Sequence, residues 1–188
     1  MILYHGSNMI VEKPGILKPS HALDFGPGFY TTLNRDQAVD FARKVVLRKG
    51  GIPVVNEYEI DCDTAFGFCD VLKFDEPNEI WLDFVCSCRD GVNVAEGRDF
   101  VFGPVANDDV YRTLTLYRED ELTKDETLAR LKIKQLYNQL VLRLKRRFVL
   151  SGLRGRRWLH DGAAVYSFSC CFGSPCACGR DSAAIRYN

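Results

Sequence analysis

The stretch from Gly28 to Asp61, "GFYTTLNRDQAVDFARKVVLRKGGIPVVNEYEID", constrains the fold more than any other part of the chain. It begins with a short aromatic and β-branched run suited to a strand, passes into helical periodicity, and returns to an alternating run. Asn34 stands where an N-cap belongs, and Gln37 follows three residues later, the spacing of a capping box. Ala38, Phe41, Ala42, Val45 and Val46 would share one buried face, and Gly50-Gly51 would end the helix. A strand, a capped amphipathic helix and a second strand in succession require a sheet on which the helix can lie.

The remaining segments place further elements around that unit. "ILYHGS" reads as an opening strand, and "MIVEKPGILKPSHALDFGPG" is rich in Pro and Gly and reads as an extended loop. "DVLKFD" is a further strand. Residues 77 to 90 form a helix that begins at Pro77 and Asn78 and buries Ile80, Trp81, Phe84, Val85 and Cys88. "DFVFGPVA" reads as a strand that stops at Gly-Pro, and Asp108-Asp109 put negative charge at the start of a helix over "VYRTLTLYRED". Thr123 and Glu126 make a capping box before a helix carrying Leu128 and Leu131, and "LYNQLVLRL" reads as a late strand. Strands and helices mix without a regular βαβ alternation, so the class is α+β rather than a doubly wound sheet.

At 188 residues the chain fits one domain with a sizeable core. Its 25 basic and 25 acidic residues cancel, yet their distribution is uneven. No Glu follows Glu126, and Arg clusters appear in "RLKRRF" and "RGRRW". The body is therefore acidic and the end basic. The expected organisation is a domain over residues 1–143 and a basic, Cys-containing tail over 144–188, either disordered or read from a shifted frame. No apolar run reaches membrane-span length and no signal peptide opens the chain, so a cytoplasmic protein with thiol cysteines is expected. His160, Cys170, Cys171, Cys176 and Cys178 could in number bind zinc, but Cys-Cys and Cys-x-Cys lack the usual paired Cys-x-x-Cys spacing, and no metal is expected.

Two short motifs carry the chemistry. In "YHGS", a histidine at a strand end followed by glycine can present an imidazole edge and an open backbone amide to a flat ligand, with the Ser7 hydroxyl beside them. A core histidine with a turn glycine is the plain alternative. In "DFGPGFYTT", two glycines around a proline make a turn that delivers Tyr30 to a strand edge, and Phe41 follows eleven residues later. Two aromatic faces so placed could clamp a planar ring, worth about 1 kcal/mol beyond burial. Phe41 could equally be core.

Together, "YHGS" and "FGPGFYTT" resemble the first two motifs of the ADP-ribosyltransferases of the diphtheria-toxin and poly(ADP-ribose) polymerase type. Residues 1 to 139, including "GPVANDDVYRTLTLY", are similar to an uncharacterised bacterial branch of that superfamily of unknown function. The resemblance implies two packed, mostly antiparallel sheets with peripheral helices and an NAD cleft between them. It implies NAD as a consumed substrate, His5 on the ribose, Gly6 and Ser7 on the nicotinamide amide, and Tyr30 and Phe41 around the ring. Gly28 and Thr31 belong to the same motif. The reaction implied is transfer of ADP-ribose to a macromolecular acceptor with release of nicotinamide.

The third catalytic position of that superfamily, usually Glu, falls on Gln139 in "LYNQLVL". An amide oxygen accepts a bond from a ribose hydroxyl but supplies no negative charge. Gln139 is therefore compatible with slow transfer, with a different acceptor, or with a catalytically inactive module that binds NAD or ADP-ribose. The bacterial branch implies a short Thr-Glu helix after this residue, which the chain lacks. The Arg clusters of the basic tail are the one place in the sequence where nucleic acid could be held.

Overall fold

The computed structural model describes residues 1–12, 14–16, 23–61, 66–105, 108–133, 136–143, 154–159 and 166–167, with backbone alone at 105, 108, 109, 154–159 and 166–167. In chain order the elements are β1 (Ile2–Ser7), β2 (Phe29–Thr32), α1 (Arg35–Lys49), β3 (Val54–Glu59), β4 (Val71–Lys73), α2 (Glu79–Arg89), β5 (Phe100–Val105), α3 (Asp108–Arg118), α4 (Lys124–Lys132), β6 (Tyr137–Leu142), β7 (Arg154–Leu159) and β8 (Tyr166–Ser167). A single helical turn occupies residues 66–68. The α+β class holds.

The described strands form one sheet, in the order β4-β5-β6-β2-β1-β3-β7-β8. The expectation of two packed sheets is corrected: β1 pairs with β2 on one edge and with β3 on the other, so both halves belong to one ladder. The halves are joined narrowly. β1 meets β3 over six register pairs, Ile2↔Glu59 to Ser7↔Val54, but meets β2 at the single pair Tyr4↔Thr32. Pairing is antiparallel throughout except β4 with β5.

Alternation of side chains across the sheet divides the core. One face carries Val101 and Val141 beneath Trp81, Val85, Leu114 and Leu131 of the helices, with Tyr30 packed at its margin. The other carries Leu3, Phe29, Tyr58, Phe100 and Leu142. α1 lies over Tyr4 and Val55 through Ala38 and Val39.

The caps explain where the helices begin. The Asn34 side chain accepts the Gln37 N–H, the Asn78 side chain accepts the Trp81 N–H, and Thr123 with Glu126 forms a complete capping box. Four expectations need correction. Phe41 is not on the buried face of α1 but 49% exposed, and Val39 is buried instead. Ile80 is 72% exposed, while Leu82 is buried, because α2 is pinned by Trp81 against β5 and this turns residue 80 outward. Trp81 donates its Nε1–H to the Pro104 carbonyl at 2.8 Å. β5 does not stop at Gly-Pro but runs through it: β4 pairs only as far as Phe102, so Pro104 lies where no β4 partner needs its missing N–H. β3 is buried on both faces rather than one.

Among the described residues no helix is long and apolar enough to cross a membrane. The residues considered for zinc lie outside the described residues, as does Cys62; Cys69, Cys86 and Cys88 are free thiols.

Candidate functional site

The residues of the two motifs meet where β1 and β2 part. His5 bridges the gap: its Nδ1 lies 2.7 Å from the Tyr30 carbonyl oxygen, and its ring rests on Phe29 at 4.4 Å between centroids, tilted 34°. A carbonyl only accepts, so Nδ1 carries the proton and donates. Burial pulls the His5 pKa below its ordinary value, the bond to Tyr30 opposing this only in part. At neutral pH His5 is therefore a neutral imidazole with Nε2 as its acceptor.

The motif glycines are explained by backbone approach. A Cβ on Gly6 would lie 2.1 Å from the Ala38 carbonyl oxygen and 2.8 Å from the Ala42 nitrogen, so α1 crosses β1 directly over this residue. A Cβ on Gly28 would lie 2.3 Å from Val141 Cγ1 and 3.1 Å from the Leu142 carbonyl oxygen, so β6 closes on the turn. The openness read into Gly6 from sequence is filled on that face by a helix. Ser7 ends β1, half-buried.

The turn between these glycines is clamped from several sides. Phe25 is fully buried against Phe74 and Phe84. Arg89 on α2 grips Asp24 with Nε at 2.7 Å and Nη2 at 2.5 Å, the two side chains being 7% and 14% exposed. Arg143 Nη1 donates to the Phe25 carbonyl at 2.7 Å. Tyr30 closes the loop on itself: its hydroxyl accepts the Phe25 N–H at 3.1 Å and donates to the Gly26 carbonyl at 2.7 Å. Gly26 takes φ +68°, which a glycine tolerates. Burial pushes the Tyr30 pKa far upward, so the hydroxyl stays protonated and is spent on the turn. Only the ring of Tyr30 is left for a ligand.

The third predicted position is reached through Thr32. β2 pairs with β6 at Phe29↔Leu142, Tyr30↔Val141, Thr31↔Leu140 and Thr32↔Gln139, so Gln139 and Thr32 are cross-strand neighbours. Thr31 Oγ1 donates to the Leu140 carbonyl at 2.6 Å. Thr32 Oγ1 accepts the Asn34 N–H at 3.1 Å and donates to Gln37 Oε1 at 2.5 Å. The Gln37 side chain has thus turned to β2, whereas a capping box would send it back to the Asn34 N–H; only the Asn34 half of that expected cap forms.

The structure joins His5 to the Tyr30 backbone and Gln139 to Thr32. By alternation His5 and Ser7 lie on the Phe29 face of the sheet, while Tyr30, Thr32 and Gln139 lie on the helix face. No described ring contact joins Tyr30 to Phe41. Sequence reading missed Asp24, Arg89 and Arg143, which hold the turn, and assigned Gln37 only a capping part. The pairing Asp24–Arg89 spans 65 residues and has no local signal.

Among the described residues no group of three or more His, Cys, Asp or Glu could hold a metal ion. Neither a curated protein nor a solved structure matches the chain. The model of a family described as proteins of unknown function, DUF3990, matches residues 1–150, a span that contains β1 to β6 and every candidate site residue and ends before β7. The chain belongs to this DUF3990 family of unknown function.

Proposed function

We propose that the chain binds NAD at the β1–β2 junction and transfers its ADP-ribose to a macromolecular acceptor, releasing nicotinamide. The observation that supports this reading is His5: with Nδ1–H spent on the Tyr30 carbonyl, Nε2 is held as an acceptor for a ribose hydroxyl. The fold orients this imidazole by a hydrogen bond and by the Phe29 ring, the preorganisation that a group acting through hydrogen bonds needs. The Gly6 backbone and the Ser7 hydroxyl hold the carboxamide, the Tyr30 and Phe41 rings flank the nicotinamide, and Gln139 accepts from the ribose 2'-OH. With these groups on both faces, the dinucleotide lies across the junction between the strands. NAD supplies the labile bond: nicotinamide leaves with the bonding pair, and an acceptor nucleophile bonds the ribose carbon and gives up its proton.

A second reading is favoured by Gln139. A carboxamide there supplies no charge to a developing cation, and loss of a well-placed catalytic group costs about 10²- to 10⁴-fold in rate. In this reading the domain binds NAD or ADP-ribose without turnover.

Nicotinamide release measured by chromatography, together with NAD-induced thermal shift, separates the two. Transfer or hydrolysis requires both signals, and both disappear in His5→Ala while the circular dichroism stays that of the folded chain. A thermal shift without nicotinamide leaves the binding module. Release that survives in His5→Ala refutes the site.

A further inference from the structure

We propose that Gln37 is a further ligand-binding residue of this site, a fixed N–H donor to an acceptor oxygen of the bound nucleotide, either a ribose hydroxyl or a phosphate oxygen. The inference rests on the NAD reading above and adds a residue to it. In the structure it is the oxygen of the Gln37 amide that faces Thr32 Oγ1, at 2.5 Å. That separation fits an O–H···O bond, which spans about 2.5–3.0 Å. The Thr32 hydroxyl accepts the Asn34 N–H and has two acceptors for its single proton, Gln37 Oε1 at 2.5 Å and the Asn138 carbonyl at 3.4 Å, of which Gln37 is much the nearer.

The consequence is an oriented donor pair. With Oε1 bound, Nε2 turns away from β2, and among the described residues none accepts from it. No buried side-chain nitrogen or oxygen lacks a partner in the described structure, so Nε2 is within reach of solvent. Thr32 pairs with Gln139 across the strands, which puts a second carboxamide side chain on the same face in the neighbouring position, and that amide also makes no hydrogen bond among the described residues. One turn further along α1 stands the exposed ring of Phe41. Neither packing nor capping needs the N–H pair of Gln37: a methionine would fill the volume, and the cap is completed by Asn34 alone. Two neutral amides around a threonine suit an uncharged or singly anionic oxygen of a sugar phosphate better than they suit a cation.

The test uses the full chain and calorimetric titration with NAD. Gln37→Glu keeps the oxygen that accepts from Thr32 and replaces the donors by an acceptor; its Kd for NAD rises about tenfold or more while its ligand-free Tm stays within about 2 °C of wild type. Thr32→Val keeps the donors but frees the amide to rotate and raises Kd by a smaller factor, about threefold. Nicotinamide riboside and nicotinamide mononucleotide separate the oxygens: a defect that persists with the riboside assigns a hydroxyl of the nicotinamide ribose, one that is absent with the riboside and present with the mononucleotide assigns a phosphate, and one seen only with NAD assigns the adenosine half. Gln37→Glu binding NAD as tightly as wild type, in a chain where His5→Ala has lost binding, overturns the inference and leaves the NAD reading intact. Wild-type chain that binds no NAD overturns both.

Discussion

Gly6→Ala tests how the first motif is built. A Cβ at this position would sit 2.1 Å from the Ala38 carbonyl oxygen and 2.8 Å from the Ala42 nitrogen, where ordinary contact begins at 3.4 Å. Both neighbours are backbone atoms of one helix, so no side chain can rotate out of the way, and α1 must lift from β1 by more than 1 Å. That movement pulls Ala38 and Val39 away from Tyr4 and Val55. Overpacking of a closed contact costs about 1–3 kcal/mol and more where the backbone must move, so a loss of at least about 3 kcal/mol is expected. For a chain of this size that lowers Tm by roughly 6–12 °C. Urea unfolding should show the midpoint falling with an unchanged slope, since the unfolded chain is the same. A loss under about 1 kcal/mol would refute the close approach of α1. Normal stability with NAD binding alone lost would show instead that Gly6 is a glycine for the ligand.

Other outcomes follow from the same geometry. Burial lowers the His5 pKa, so below pH 6.5 the unfolded chain takes up a proton that the folded chain refuses, and stability falls as pH drops toward the folded value. The Tm difference between pH 8 and pH 5.5 should be smaller in His5→Gln than in wild type, and an equal difference would contradict a buried neutral imidazole. Arg89→Met leaves Asp24 buried without its guanidinium and should cost about 3–5 kcal/mol in chemical denaturation, with the double variant Asp24→Leu/Arg89→Met recovering most of the loss. Gln139→Glu supplies the missing negative charge beside Thr32 and should raise nicotinamide release at least tenfold under the transfer reading. Under the binding-module reading it leaves release undetectable.

Much of the fold was legible because local signals dominate it. Asn34, Asn78 and Thr123 cap three helices as their types predict, and the runs read as strands at 2–7, 54–59 and 137–142 are strands. What sequence misjudged depended on neighbours far along the chain. Helical spacing allowed either Phe41 or Val39 inside, and the choice was made by where Gly6 lets α1 settle. Gly103-Pro104 reads as a strand end, yet β5 continues because β6 pairs it through Val105 while β4 has stopped. The division into two sheets failed on one contact, Tyr4↔Thr32, which no local pattern encodes.

For the candidate site, the structure explains the motif residues by packing before it explains them by chemistry. Packing accounts for much of both motifs: Gly6 and Gly28 are demanded by α1 and β6, Thr31 bonds β6, and the Tyr30 hydroxyl closes its own turn. A sequence that merely had to fold this way would keep those residues, so the motifs by themselves weigh less for NAD than their resemblance implies. Groups that the fold leaves unused weigh more. His5 Nε2, the Gln37 N–H pair, the Gln139 amide and the half-exposed Phe41 ring satisfy no bond among the described residues and fill no core. Gln37, Phe41 and Gln139 stand on α1 and β6, and His5 lies on the other face of the sheet, beside the single register pair that joins β1 to β2. Substitutions at Gln139 and Phe41, and substitutions at His5 and Gln37 that keep the bonds to Tyr30 and Thr32, should therefore change ligand binding while leaving stability nearly untouched, the reverse of Gly6 and Arg89. That contrast, measured on one set of variants, separates a site from a fold that only resembles one.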